Sequence, residues 1–361
     1  MADISRTAPP PPGPGIAAAR ARHLAWVRRF GLIGDERHAA RYARWRITEL
    51  GALTYPAASG ADLDVTVDTL GWFTLLDDQY DGTRRFRAGE LADLRDELMD
   101  RMTGRATGPS RVPLVRAWAD LGPRILAGMS PRWQARAAAS WRELLDACVV
   151  EADLTAEGPR AVETYLTVRR AAVMGDFASV LLERAARCEL PDPVWEDPHI
   201  ARVRLCVADV ALLLNDRNSL PRELARGDDV NLAVVLHKVR GLSVPQALEE
   251  LRTRERDAVA QLAAERQAFL DSHRARPTVP PGPDAVTRFL AGAQDMVTGL
   301  RAWYATTGRY AGPETALGAA GDVADILTPL PRSAAAPADG GRGPARARPP
   351  EQPWTPPYRP D

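Results

Sequence analysis

Residues 71–82 read GWFTLLDDQYDG, an apolar run that ends in three carboxylates. In a helix, Asp77 and Asp81 lie four positions apart and share a face one turn beyond Phe73, with Asp78 beside that face. Carboxylates at the C-terminal end of a helix oppose the helix dipole unless a cation neutralises them. Because the preceding residues are apolar, the sequence predicts a largely buried helix whose acidic end faces a cation site.

A second polar helix end occurs in residues 212–223, which read LLLNDRNSLPRE. Asn215, Ser219 and Glu223 are spaced by four, so one helix face would present an amide, a hydroxyl and a carboxylate. Oxygen ligands of this kind suit Mg²⁺, which is often shared between carboxylates and substrate phosphates. Pro221 lies inside this stripe and is expected to bend the helix. Considered alone, the motif also fits an ordinary polar helix end that stops at a proline.

The rest of the sequence is rich in Ala, Leu, Arg and Glu, with apolar residues at three- and four-residue spacing. This pattern predicts an all-α fold in a single domain over residues 16–329. We expect about ten helices, over residues 17–32, 36–54, 61–82, 88–103, 112–127, 131–154, 160–186, 196–226, 243–272 and 284–307. Residues 1–15 and 330–361 are rich in Pro, Gly or Ala and are predicted to be disordered.

The overall composition argues against several classes of protein. Lys and Arg together number 47, as do Asp and Glu, so the chain has no net charge with which to attract nucleic acid. Three cysteines without a CxxC spacing argue against a disulfide framework or a zinc site. The N-terminus does not resemble a signal peptide, and no apolar run reaches the length of a membrane span. A cytoplasmic location is therefore expected.

Together, the two motifs resemble those of the class I terpene synthases, specifically the bacterial terpene cyclases. That family carries a DDxxD motif and an NSE motif of the form NDxxSxxxE. The matching residues here are Asp77, Asp78 and Asp81 in the first motif and Asn215, Asp216, Ser219 and Glu223 in the second. Arg217 departs from the aliphatic residue that the family usually has after the ND pair.

Three further features agree with the resemblance. The family ends its catalytic domain with an Arg-Tyr pair, which corresponds to Arg309 and Tyr310. Its diphosphate-sensing arginine, 46 positions before the NSE asparagine, corresponds to Arg169, with Arg170 as the neighbouring alternative. Arg222 matches a basic residue that often precedes the glutamate.

The resemblance implies a helical bundle with a central apolar cavity and both motifs at its mouth. Three Mg²⁺ ions would bind the prenyl diphosphate substrate and neutralise its leaving group. Metal ligands would come from Asp77, Asp78, Asp81, Asn215, Ser219 and Glu223, with Asp77 as the most direct ligand of the first motif. Arg169, Arg222, Arg309 and Tyr310 would bind the diphosphate, and Asp78 would pair with Arg309 when the site closes. Phe73 and Trp303 are the aromatic candidates for guiding the carbocation.

Other functions remain open at this point. A chain-elongating prenyl diphosphate synthase would carry a second DDxxD in place of the NSE motif, and a non-catalytic helical scaffold would leave both acidic ends solvated. Asp62, Asp64 and Asp68 lack the closing pair of a class II DxDD motif, and Asp228-Asp229 suits a loop. Farnesyl diphosphate is the expected substrate, with geranylgeranyl diphosphate as the alternative. A homodimer is suggested by the family alone.

Overall fold

The structure, a computed structural model, describes residues 15–81, 88–157, 161–226, 230–275 and 283–311. These ranges contain fourteen helices and no strand, which confirms the all-α prediction. The helices are α1 (Gly15–Arg29), α2 (Glu36–Ala43), α3 (Ile47–Thr54), α4 (Gly60–Asp81), α5 (Ala88–Met102), α6 (Pro113–Leu126), α7 (Pro131–Glu157), α8 (Val162–Ala172), α9 (Gly175–Ala186), α10 (Asp192–Trp195), α11 (Pro198–Arg226), α12 (Leu232–Arg240), α13 (Val244–Ala275) and α14 (Pro283–Tyr304). The predicted disordered segments lie outside the described residues except at Gly15, which begins α1.

Helix α4 is buried along most of its length, as its apolar sequence predicts. The indole of Trp72 packs against Trp118 and Trp141, with ring centroids 4.6 and 5.7 Å away. Its Nε1 donates to the Leu114 carbonyl at 3.0 Å, so the polar atom of this buried ring is satisfied. This packing fixes α4 within the core and thereby fixes the position of its acidic end.

The predicted helix over 36–54 is wrong, because the chain breaks between α2 and α3 at residues 44–46. Arg46 adopts a left-handed conformation with φ of 56°. The Arg44 carbonyl accepts from the Gly308 amide at 2.8 Å, and the Trp45 carbonyl accepts from Trp303 Nε1 at 2.9 Å. These carbonyls bond the far C-terminal segment instead of the next helical turn, a pairing that local periodicity cannot reveal.

The predicted helix over 160–186 is also divided, into α8 and α9. Met174 and Gly175 both have positive φ, of 77° and 26°, which interrupts the helical backbone. A Cβ at residue 175 would lie 3.1 Å from the Arg170 carbonyl oxygen, which favours glycine at this turn. The break faces the cavity described below, since residues 173–175 line it.

Two shorter helices were missed. Helix α10 precedes α11, which begins at Pro198 and continues through Pro221 to Arg226. Helix α12 starts after Asn231, whose side chain accepts from the Ala233 amide at 2.9 Å, and it ends at Arg240, just before Gly241 with φ of 68°. An asparagine before an apolar run and a glycine after it are the ordinary start and stop signals of a helix. The sequence therefore contained the signal for α12.

Helices α3, α4, α9, α11 and α14 surround the region between the two motifs. Helix α11 packs against α8, α9, α12, α13 and α14, which places it at the centre of the bundle. Helix α14 approaches α3 so closely that a Cβ at Gly299 would lie 2.1 Å from the Leu53 carbonyl oxygen. Among the residues that the structure describes, no helix is both long and apolar enough to cross a membrane.

Candidate active site

The acidic end of α4 is paired with arginines from distant parts of the chain. Arg309 Nη2 donates to Asp77 Oδ2 at 2.8 Å and lies 2.9 Å from Asp78 Oδ1. Arg222 Nη1 donates to the same Asp78 oxygen at 3.2 Å. The Asp78 side chain is only 1% exposed, whereas that of Asp77 is 22% exposed. Asp77 is therefore the more accessible of the two carboxylates.

Arg309 is itself buried beside these carboxylates. Burial alone would lower the pKa of its guanidinium, but the charges of Asp78 and Asp77, together with Tyr310, outweigh burial and raise that pKa. The guanidinium carbon also lies 4.5 Å from the centroid of the Trp45 ring. Arg309 thus supplies a permanent positive charge at the acidic end of α4.

The three residues of the α11 stripe share one face but have different partners. Asn215 Oδ1 accepts from Arg169 Nη2 at 2.8 Å. Glu223 Oε2 accepts from Asn231 Nδ2 at 2.6 Å. Ser219 is fully buried, and its hydroxyl has no hydrogen-bond partner among the described residues. The predicted four-residue spacing is therefore realised within one continuous helix.

Asp216 points away from this stripe into a buried network. Its carboxylate accepts from the Tyr165 hydroxyl at 2.5 Å, the Leu232 amide at 2.8 Å and Arg169 Nε at 3.4 Å. Burial raises the pKa of Asp216, and Arg169 and the other donors act against that rise. Asp216 thus joins α11 to α8 and to the start of α12, an anchoring role distinct from the oxygen stripe.

The structure distinguishes Arg169 from the neighbouring alternative. Arg169 reaches Asn215 and Asp216 of the second motif and donates to Glu151 at 2.9 Å. Arg170 instead donates to Asp209 at 2.5 Å. Of the two arginines, Arg169 is the one that contacts the candidate site.

Arg309 and Tyr310 connect the two motifs. The Tyr310 hydroxyl accepts from Arg309 Nε and from Asn215 Nδ2, both at 3.2 Å. Asn215 Nδ2 also lies 3.2 Å from the Tyr304 hydroxyl. A continuous chain of hydrogen bonds therefore runs from Asp77 through Arg309 and Tyr310 to Asn215. The C-terminal pair predicted from the sequence thus lies between the ends of α4 and α11.

An apolar cavity of about 110 Å³ opens beside this chain of hydrogen bonds. Asp77, Asn215, Arg309 and Tyr310 line one part of it, and the remaining wall is mainly apolar. Its aromatic lining comprises Tyr55, Phe73, Trp303, Tyr304 and Tyr310. Both aromatic candidates from the sequence, Phe73 and Trp303, therefore face the cavity. Thr54 and Thr74 also line it, but their hydroxyls donate to the carbonyls of Leu50 and Leu70.

The residues present fit a divalent metal ion. Ser219 Oγ and Asp78 Oδ2 are buried oxygens that have no hydrogen-bond partner within the described ranges. Such atoms are unfavourable unless something else satisfies them, and a hard cation that prefers oxygen ligands would do so. No cluster of three or more His, Cys, Asp or Glu residues suited to a metal occurs in the described part of the chain. The side chain of Asp81 lies outside the described residues.

Sequence reasoning missed several supporting residues. Asn231, Tyr304 and Glu151 bond directly to Glu223, Asn215 and Arg169, respectively. Tyr165 bonds to Asp216. Only Asn231 had a local signal, as the first residue before a helix. The other three are identified by contacts between helices, which the sequence does not encode locally.

The aspartates outside the two motifs, which did not fit a second catalytic motif, lie away from the candidate site. Asp62 pairs with Arg187, Asp64 with Arg22, and Asp68 with His23 and Arg124. None of these three aspartates lines the cavity. Asp228 and Asp229 are outside the described residues. The described aspartates of this group therefore take part in ion pairs away from the two motifs.

Comparisons with known proteins agree with this geometry. The sequence profile of terpene synthase family 2, C-terminal metal binding, matches residues 68–261. Pentalenene synthase from Streptomyces arenae is 33% identical over 319 residues, covering 82% of this chain and 89% of that protein. A 7-epi-alpha-eudesmol synthase from Streptomyces viridochromogenes, described as cyclising (2E,6E)-farnesyl diphosphate, is 32% identical over 327 residues, covering 87% and 94%. The crystal structure of linalool/nerolidol synthase from Streptomyces clavuligerus superposes with a TM-score of 0.74 at 28% identity, covering 83% of this chain and all of that one.

Proposed function

The chain belongs to terpene synthase family 2, and from that premise we propose that it cyclises farnesyl diphosphate to a sesquiterpene with release of diphosphate. It is a terpene synthase, a carbon–oxygen lyase that acts on prenyl diphosphates. The farnesyl chain length is supported by the eudesmol synthase relative, which is described as cyclising (2E,6E)-farnesyl diphosphate. The observation that carries the proposal is the meeting of two oxygen-rich helix ends beside one apolar cavity.

The family match implies dependence on a divalent metal, and we propose Mg²⁺, with three ions bound. Asp77, Asp78 and Asp81 on α4 and Asn215, Ser219 and Glu223 on α11 would hold them. When bound, the metal supplies Lewis-acid stabilisation of the departing diphosphate. Asp78 already shares one oxygen with two arginines, so its contribution would come through Oδ2. This assignment matches the hard oxygen character of all six side chains.

Arg169, Arg222, Arg309 and Tyr310 are proposed to bind the substrate diphosphate. The three guanidiniums are paired with carboxylates or with Asn215, and all lie close to the two motifs. A diphosphate offers several anionic oxygens to the planar guanidinium fork, so it can compete for these donors. Diphosphate binding would then exchange internal ion pairs for ion pairs with the substrate. The Asp78–Arg309 pair expected on closure is already present in the structure.

The cavity would hold the hydrocarbon part of the substrate. Phe73 lies one turn before Asp77 on α4, so its ring would face the carbon from which diphosphate departs. Trp303 lines the same cavity and donates its indole N–H to the Trp45 carbonyl, which fixes the ring. Both π faces can stabilise a carbocation, and the apolar wall excludes the water that would quench it.

The proposed function is tested by incubating purified protein with Mg²⁺ and, separately, geranyl, farnesyl and geranylgeranyl diphosphate. Products are identified by gas chromatography–mass spectrometry. A cyclic C15 hydrocarbon or alcohol from farnesyl diphosphate is expected. An acyclic alcohol, or a cyclic product only from geranylgeranyl diphosphate, would contradict the proposed reaction.

Two controls separate this function from the rival classes. A longer prenyl diphosphate formed only after addition of isopentenyl diphosphate would indicate an elongating synthase. A scaffold would show no turnover, and the double variant Asp77→Asn/Glu223→Gln would bind ligands as the wild type does. Retained turnover in that double variant would contradict the site assignment.

A further inference from the structure

The depth of the cavity can be measured along the helices that form its wall. Its lining residues on α4, α11 and α14 fall within 70–77, 207–215 and 296–304. Asp77 and Asn215 lie at the motif end of the first two ranges, and Tyr304 lies at the corresponding end of the third. On each helix, the farthest residue that lines the cavity is about two turns from that end. With a rise of 1.5 Å per residue, each wall extends about 11–12 Å from the mouth.

Helix α3 runs from the mouth toward the far end of the cavity. The residues just before it, Arg44 and Trp45, bond Gly308 and Trp303 beside the C-terminal Arg-Tyr pair. Near its end, Leu53 lies against Gly299, which is deeper along α14. The residue that follows α3, Tyr55, therefore lies at the end of the cavity remote from the motifs.

Tyr55 bridges two walls at that depth. It lines the cavity, is only 2% exposed, and donates its hydroxyl to the Ala178 carbonyl at 3.2 Å. Ala178 is the last lining residue on α9, whose lining begins at the break around Met174. The phenol ring thus spans from the end of α3 to α9 and closes the space between them.

We propose that Tyr55 forms the floor of the substrate cavity and limits the prenyl chain to fifteen carbons. The proposal rests on farnesyl diphosphate as the substrate. A geranylgeranyl chain carries five more carbons and would have to occupy the volume of the Tyr55 ring. Because interiors are close-packed, that ring cannot move aside without displacing its neighbours. Tyr55 is therefore the residue that sets chain-length specificity, while the diphosphate groups at the mouth remain common to both substrates.

The test compares kcat/KM for geranylgeranyl and farnesyl diphosphate in wild type, Tyr55→Ala and Tyr55→Phe. Tyr55→Ala is expected to raise the ratio of the C20 to the C15 value by about tenfold or more, since even one methylene in an apolar pocket can change specificity that much. Tyr55→Phe keeps the ring and should keep the wild-type ratio. Phe269→Ala is the matched control, because Phe269 is fully buried but does not line the cavity. It should lower stability and leave the ratio unchanged.

Tyr55→Leu removes less volume than Tyr55→Ala does. It is used if circular dichroism shows that Tyr55→Ala does not fold. An unchanged ratio in a folded Ala or Leu variant would overturn the proposal, as would a wild type that uses both chain lengths equally well.

A binding measurement separates the floor from the reaction. Calorimetry with farnesyl and geranylgeranyl thiolodiphosphates, in the presence of Mg²⁺, reports chain-length preference without turnover. If wild type makes no product from farnesyl diphosphate, the proposed function fails. The proposed role of Tyr55 is then still supported if Tyr55→Ala shifts the relative affinity toward the C20 analogue. It is contradicted if the relative affinity does not change.

Discussion

The acidic end of α4 and the polar end of α11 face the same cavity, but they are held by opposite kinds of groups. The α4 carboxylates are held by the charged guanidiniums of Arg309 and Arg222. On α11, Glu223 is held by the neutral amide of Asn231, and Ser219 has no partner among the described residues. The α4 end thus depends on charges that a diphosphate would attract, as does Asn215 through its bond from Arg169. The bond from Asn231 to Glu223 involves no group that a diphosphate would attract.

Helix electrostatics explains the difference. Three acidic residues at the C-terminal end of α4 add negative charge where the helix dipole is already negative, so nearby cations are required for stability. The α11 stripe contains a single carboxylate, Glu223, which accepts from the neutral amide of Asn231, while Asn215 accepts from Arg169. We infer that Ser219 and Glu223 form a preorganised half-site on α11, while α4 exchanges internal cations for external ones.

A large effect on stability is expected at Arg309, which should stabilise the fold through the α4 carboxylates. Arg309→Gln leaves Asp78 buried with Arg222 as its remaining arginine, and should lower the free energy of unfolding by about 3 kcal/mol. Urea denaturation monitored by circular dichroism measures the change. The control is Arg28→Gln, an exposed arginine on α1 paired with the exposed Glu36, where the loss should stay below about 1 kcal/mol. Equal losses in the two variants would refute the dependence of α4 on Arg309.

Metal-ligand replacement should affect turnover on both sides of the cavity. Asp77→Asn and Glu223→Gln are each expected to lower kcat/KM by about 10²–10³, because each removes charge from the site that stabilises the leaving group. Diphosphate release under steady-state conditions gives the rates, and circular dichroism checks the fold. If either variant retains wild-type turnover, its residue is not a ligand.

Asn231 should matter for the α11 half-site through the orientation of Glu223. Asn231→Ala is expected to weaken metal binding by about 10–100-fold, as observed for groups that orient a ligand. Titration with Mn²⁺ followed by electron paramagnetic resonance measures the affinity directly. Asn218→Ala is a matched control, since Asn218 lies on α11 between Asn215 and Ser219 and its amide donates to the Leu214 carbonyl at 2.7 Å. Comparable weakening in both variants would argue against a specific role for Asn231.

The smallest effect should separate stability from function at Ser219. Without metal, Ser219→Ala removes a buried hydroxyl that has no partner in the described part of the chain, so the free energy of unfolding should stay unchanged or rise by about 1 kcal/mol. Metal affinity should nevertheless fall. Thr69→Val is the contrasting control, because the buried Thr69 hydroxyl donates to the Val65 carbonyl at 2.7 Å and its loss should destabilise slightly. Urea unfolding in the presence of a chelator measures the stability of both variants. A clear destabilisation by Ser219→Ala would show that its hydroxyl has a structural partner.

Much of the architecture followed from local patterns. The 3.6-residue period predicts the all-α class and the existence of α4 and α11. The same period places Asp77 with Phe73 on one face of α4, and Asn215, Ser219 and Glu223 on one face of α11. The helix breaks at Arg46 and Met174 could not be predicted from this period, because the surrounding segments are compatible with continuous helices. They exist where carbonyls such as that of Trp45 bond other helices or where the backbone faces the cavity. Helix α12 was missed although Asn231 and Gly241 supply its end signals.

The chemistry available to this protein could be read from its amino acids alone: two oxygen-rich helix ends, a set of arginines and an apolar interior. The packing of the helices was needed to show which arginine meets which carboxylate and that the Tyr55 hydroxyl reaches the Ala178 carbonyl. The physical reason is range, since helical periodicity relates residues a few positions apart. Arg309 and Asp77 are separated by 232 positions, so their pairing depends on how the helices pack.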